Sequence, residues 1–221
     1  MKKMKTKSIW NPPNNRFYIF LGYADKFEIE KKILIIGCSD GTYAIPSVLK
    51  GFKVTAIDID KEAIYGGAPL TINNKKVEYL GLKKRVEIED IDKDKIHYEV
   101  CDFMQYNSDQ KFPLIFTSGS IHYACNSDYD TEQMINKMIN FLDNKGVLLI
   151  EYIHKSKDTD KERHFVTKKE IENIVLKNKG VKIISHKLKK YIEEPNPRDD
   201  KVHEIIWGRI YIQKMVNKII I

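Results

Sequence analysis

The decisive stretch is Lys32-Ile33-Leu34-Ile35-Ile36-Gly37-Cys38-Ser39-Asp40-Gly41. Its first half is an unbroken apolar, largely β-branched run, the pattern of a strand buried on both faces in a parallel sheet. Gly37 stops it. A short helix is predicted from the turn to Leu49, Gly51 ends that helix, and Lys53-Val54-Thr55-Ala56-Ile57-Asp58 reads as a second strand. This is a βαβ unit.

The alternation continues along the chain. Lys61 to about Leu70 begins as a helix that Gly66-Gly67 and Pro69 break, and Asn73 to Lys95 is a charged stretch with no clear period. Strands are predicted at Ile96 to Val100 and Phe112 to Thr117. A helix over Thr131 to Leu142 gathers Met134, Ile135, Met138, Ile139 and Leu142 on one face, and a strand follows at Gly146 to Tyr152. Thr167 and Glu170 form a capping box for a helix through Asn178, closed by Gly180. The last two strands, Val181 to His186 and His203 to Gln213, are joined without a helix. The fold class is therefore α/β: one Rossmann-like, seven-stranded, mostly parallel sheet with helices on both faces and an antiparallel C-terminal hairpin. Residues 1–30 are expected to be an N-terminal arm or lid, residues 31–215 the domain and residues 216–221 a tail.

Charge is unevenly placed. The 38 Lys/Arg and 31 Asp/Glu give a formal +7. Residues 1–152 hold 21 of each sign, so the remaining 17 bases and 10 acids, and with them the whole surplus, fall after residue 152. Only five of the bases are arginines (Arg16, Arg85, Arg163, Arg198, Arg209), which argues against a dedicated sequence-specific nucleic-acid reader, since bidentate readout favours Arg. No apolar run reaches the roughly 18 residues of a membrane span, and no signal region follows the basic N-terminus. Three cysteines without a CxxC pair and six histidines without metal-ligand spacing indicate neither a disulfide framework nor a metal site. A cytoplasmic protein, monomer or homodimer, is expected.

In open α/β sheets ligands bind beyond the carboxyl ends of the strands. There, Gly37 and Gly41 bracket a tight turn, Asp58 ends the second strand where it can accept from ribose hydroxyls, and Asp102 ends the third where it can accept from an exocyclic amine, with Phe103 beside the ring. Val86-Glu87-Ile88-Glu89-Asp90 also reads as strand plus acid and offers Asp90 as an alternative to Asp102. Singly, these features are a common βα turn, a helix cap and a loop acid. The turn is GxxxG rather than GxGxxG, so a dinucleotide site is not provided for.

Taken together, the Ile33-to-Gly41 run, Ile57-Asp58, Cys101-Asp102-Phe103, Pro113-Leu114-Ile115-Phe116 and the closing hairpin resemble the class I S-adenosylmethionine-dependent methyltransferases over about residues 30–215. The branch acting on small molecules, with thiopurine and tellurite-resistance-type enzymes, looks nearest: Asp58 and Asp102 are 44 positions apart and Trp207-Gly208 opens the final strand. The turn departs from the family by carrying Cys38-Ser39-Asp40 where a further glycine is common.

The resemblance implies S-adenosyl-L-methionine as cofactor. Gly37, Cys38 and Gly41 would line its methionine end, Asp58 its ribose, Ile59 and Phe103 the adenine faces, Asp102 the adenine amine and Ser118 the sulfonium side. It implies methyl transfer to a small-molecule acceptor, with His122 as the base if a hydroxyl must be deprotonated and Tyr123, Arg163 and His164 on the acceptor side. His97, His186 and His203, in predicted strands, read as structural, and the acids from Glu87 to Asp94 as a solvated face. Asn11-Pro12-Pro13-Asn14 lacks the aromatic fourth residue and the preceding strand of amino-methylating nucleic-acid enzymes. Methylation of RNA or protein through the basic C-terminal third, or nucleotide binding without catalysis, are the alternative functions.

Overall fold

A computed structural model describes residues 4–72, 75–126, 128–155, 165–195 and 202–216. In chain order its elements are α1 (Asn15–Leu21), α2 (Tyr23–Lys26), β1 (Lys32–Ile36), α3 (Ala44–Leu49), β2 (Lys53–Asp58), α4 (Lys61–Tyr65), β3 (Leu70–Ile72), β4 (Lys75–Val77), α5 (Gly81–Ile88), β5 (Ile96–Val100), β6 (Phe112–Ser118), α6 (Thr131–Phe141), β7 (Leu142–Ile153), α7 (Lys168–Leu176), β8 (Val181–Pro195) and β9 (Val202–Lys214). Seven strands form one sheet in the order β5-β2-β1-β6-β7-β9-β8, parallel from β5 through β7 and antiparallel around β9. The predicted architecture is the observed one.

The apolar runs of β1 and β6 lie at the centre of the sheet, with all but their first or last residues buried. Each face carries its own core. One gathers Leu34, Ile36, Ile115, Leu148 and Ile150 under Met134, Met138 and Ile171. The other gathers Ile33, Ile35, Leu114 and Phe116 against Phe17, Phe20, Ile45 and Leu82. Residues 15–26 therefore contribute two helices to that second core, with the Phe17 ring 4.9 Å from Phe116. Full burial of Phe17 and Phe20 contributes roughly 1.5–3 kcal/mol each.

Several segments differ from expectation: Leu142 opens β7 instead of closing the helix before it. Residues 70–72 and 75–77 pair as two short antiparallel strands, β3 with β4, and residues 81–88 are the helix α5. Val86-Glu87-Ile88 is thus helical, and Asp90 follows the helix end at a left-handed φ of 55°. Asp90 ends no strand and is set aside as the adenine-side acid. Glu89, read as part of a solvated face, is buried.

The capping box of α7 is present as predicted, Thr167 with Glu170. The C-terminal ribbon runs further than expected. β7 pairs with β9 as far as Ile153 opposite Trp207, while β8 and β9 stay paired out to Pro195 opposite Val202.

Gly208 is required by packing. The Tyr152 ring crosses β9 there, and a β-carbon at Gly208 would lie 2.1 Å from its Cζ. The ring is held by a relay in which the Tyr152 hydroxyl meets His186 Nε2 and His186 Nδ1 meets Glu172, both at 2.8 Å. A carboxylate only accepts, so Nδ1–H donates to Glu172 and Nε2 accepts from Tyr152. Burial, with the Glu172 charge, drives the Tyr152 hydroxyl well above its usual range, which keeps it a donor. Gly208→Ala is expected to lose about 1–3 kcal/mol through overpacking, read as a lower urea midpoint; an unchanged midpoint would show that the ring has room to move.

Candidate functional site

The ends of β1, β2, β5 and β6 present their loops on one edge of the sheet, where the predicted ligand residues lie. The turn after β1 has left-handed backbone at Gly37 (φ 68°), Ser39 (φ 48°) and Gly41 (φ 88°). A side chain at either glycine would be strained by this backbone and would have to displace a neighbour. A β-carbon at Gly37 would sit 2.0 Å from Ser120 Oγ, and one at Gly41 2.4 Å from Leu82 Cδ1. Gly37 is therefore where the loops after β1 and β6 close on each other.

The turn is braced from within. The amides of Gly37 and Cys38 both donate to the Ile57 carbonyl, and Gly41 donates to the Cys38 carbonyl. Asp58 completes the brace: one carboxylate oxygen accepts from the Ser39 amide at 2.7 Å and the other from the Asp60 amide at 2.9 Å. The cap of α4 is Asp60, which accepts from Glu62 and Ala63. Asp58 is thus held at the strand end by both oxygens and is not the cap of α4; beside it, Ile59 is 59% exposed. Asp102 stands at the end of β5, oriented by the Met104 amide at 2.8 Å.

Two expected ligand contacts turn inward. Cys38 is packed into one core, and burial together with the Asp58 charge pushes its thiol well up, so it is protonated and unreactive at neutral pH. Phe103 is 5% exposed in the other core, near Phe141 and under the Lys137 ammonium. Both lie at strand ends, where position alone does not tell a ligand-facing side chain from a core one.

Further along the same edge, Ser118 ends β6 and donates to Glu151, whose other oxygen accepts from Arg209 Nε. This row crosses three neighbouring strands. His122, in the short 3₁₀ helix Ile121–Asn126, is 3% exposed and stacks on Phe165 with centroids 5.1 Å apart, while Tyr123 beside it is 45% exposed. Trp207 reaches the same loop, its Cη2 3.4 Å from where a Gly119 β-carbon would be. Arg163 and His164 lie outside the described residues. No group of metal-ligating side chains occurs among the described residues, and no helix there is long and apolar enough to cross a membrane.

A buried polar cluster behind the turn went unread in the sequence. Arg85, 1% exposed, donates from Nη1 to the Asp40 carbonyl at 2.7 Å, lies 3.2 Å from its carboxylate and donates from Nε to Thr6. The Asp40 carboxylate also accepts from the Ser8 hydroxyl, the Thr42 hydroxyl and the Ile9 amide. Glu89 accepts from the amide and hydroxyl of Thr6 at 2.6 and 2.7 Å. Burial pulls the Arg85 pKa down against the charges of Asp40 and Glu89. Burial raises that of Glu89, but its bonds from Thr6 and Lys5 and the charge of Arg85 outweigh this and leave it below the usual carboxylate range. The one local signal was helical spacing: Leu82, Arg85, Val86 and Glu89 share a face.

No family model matches the sequence, and no curated protein matches it. Solved structures do. The magnesium protoporphyrin IX methyltransferase of Synechocystis, with S-adenosylmethionine bound, aligns at TM-score 0.61 and 13% identity over 90% of this chain and 76% of that one. TehB from Haemophilus influenzae aligns at 0.65 and 14% over 91% of this chain and 62% of its own. A putative RNA methyltransferase from Pyrococcus horikoshii aligns at 0.61 and 17% over 99% and 92%. The fold is that of the class I S-adenosylmethionine-dependent methyltransferases.

Proposed function

We propose that this chain is an S-adenosylmethionine-dependent methyltransferase of small molecules, taking a sulfur, nitrogen or oxygen acceptor, with thiol or thiopurine-like compounds favoured. The observation that carries the reading is the convergence of the Gly37–Gly41 turn, Asp58 and Asp102 at the ends of three neighbouring strands of this fold. The residues fit the cofactor: Asp58 accepts from ribose hydroxyls, Asp102 from the adenine amine, and Ile59 offers an apolar face between them. Gly37 and Gly41 bring bare backbone to the methionine end, and Ser118 stands on the sulfonium side.

The bound cofactor supplies a methyl carbon already activated by positive sulfur. The chain supplies placement, which by itself accounts for a large part of such a displacement. A thiolate acceptor requires no base, and His122 then only shapes the wall. A phenol must lose its proton, and His122 is the residue of that loop able to take it. Cys38 and Cys101 are free thiols, which suits a reducing cytoplasm.

Calorimetry with S-adenosylmethionine and S-adenosylhomocysteine tests the cofactor, and release of S-adenosylhomocysteine across thiols, thiopurines, amines and phenols tests the acceptor. Binding of neither nucleoside would overturn the reading. A second reading, methylation of RNA, draws on Lys187, Lys189 and Lys190, exposed on the edge strand β8. It predicts RNA affinity that falls steeply with salt.

A further inference from the structure

Ser39 lies in the Cys38-Ser39-Asp40 segment that carries no further glycine, and its backbone is left-handed. A glycine would adopt that conformation more easily. The serine hydroxyl, however, accepts from the indole Nε1–H of Trp10 at 2.7 Å. Trp10, Ser39 and Asp58 are thereby joined in one bonded series, since the Ser39 amide donates to Asp58.

The segment carrying Trp10 is anchored independently. Thr6 is fastened to Glu89, while Ser8 and Ile9 are fastened to Asp40, and both acids are buried beside Arg85. Trp10 itself remains partly exposed, so its ring has surface to give to a ligand.

We propose that Trp10, held by the Ser39 hydroxyl, is a cofactor-binding residue: its indole covers the methionine and ribose end of S-adenosylmethionine and excludes water there. This rests on the reading of the Gly37–Gly41 turn and Asp58 as the cofactor site. Ser39 is the positioning residue, exchanging an easier backbone for a grip on the indole.

The chain has two tryptophans, so Trp207→Phe leaves Trp10 as the sole tryptophan, read by excitation at the red edge of its absorption. Titration of that variant with S-adenosylhomocysteine is expected to shift the Trp10 emission and to halve, roughly, its quenching by acrylamide, because the ligand replaces water on the ring. In the otherwise native chain, Trp10→Ala and Ser39→Gly are each expected to weaken S-adenosylhomocysteine about tenfold, and the double variant no more than either alone, since both remove the same contact. Binding heat with unmoved Trp10 emission, and with Trp10→Ala within about twofold of the native affinity, overturns the role of Trp10 and leaves the cofactor reading standing. No binding heat from folded protein with either nucleoside overturns both.

Discussion

Arg85→Met lowers stability by about 3–5 kcal/mol, the usual cost of removing one partner from a buried charge cluster. Methionine fills much of the volume but leaves Asp40 and Glu89 buried without their cation. The loss is expected as a lower denaturant midpoint. It also has a local signature: Thr6 is bonded to both Arg85 and Glu89, so trypsin cleavage after Lys5 and Lys7 accelerates well before global unfolding. Combining Arg85→Met with Asp40→Asn costs less than the sum of the two, because the neutral amide no longer requires a cation. An additive pair, or a native-like midpoint for Arg85→Met, would show that the cluster is not held by charge.

Asp58→Ala weakens S-adenosylhomocysteine by about 10- to 150-fold, the equivalent of losing hydrogen bonds to a charged acceptor worth roughly 1.5–3 kcal/mol. Two effects contribute. The ribose loses its acceptor, and the Ser39 amide loses the carboxylate that fixes the turn. Calorimetry on the variant, set beside its unfolding midpoint, separates them: a brace alone lowers the midpoint and spares the affinity. An unchanged affinity would reject the ribose contact.

Most of the sheet was legible because its central strands are simple. Ile33 to Ile36 and Leu114 to Phe116 are continuous apolar runs, and such runs have few other places to go than the middle of a parallel sheet. The capping box at Thr167 is likewise a local code, complete within four residues. Helix α5 was not legible because its buried face includes Arg85, which counts as polar in any hydropathy pattern, and because Val86 and Ile88 alternate like a strand. Its apolar face is legible only once the partners of Arg85 are known, and these stand at Thr6 and Asp40.

The candidate site divides along the same line. Gly37, Gly41, Asp58 and Asp102 could be placed because strand ends fix them. The inward turn of Cys38 and Phe103, the bond from Trp10 to Ser39 and the row from Ser118 through Glu151 to Arg209 are tertiary facts. No spacing within one segment encodes them.

The attachment of Thr6 to Glu89 also orders events during synthesis. The two residues are 83 positions apart, and at about 5–20 residues per second the ribosome takes roughly 4–17 s to make the second after the first. Throughout that interval Thr6 lacks its partners Arg85 and Glu89, while Ile33 to Ile36 and Val54 to Ile57 can already pair. The N-terminal segment is therefore made early and docked late. A chain stalled before Arg85 would present an unlatched turn, with Asp40 still waiting for its arginine.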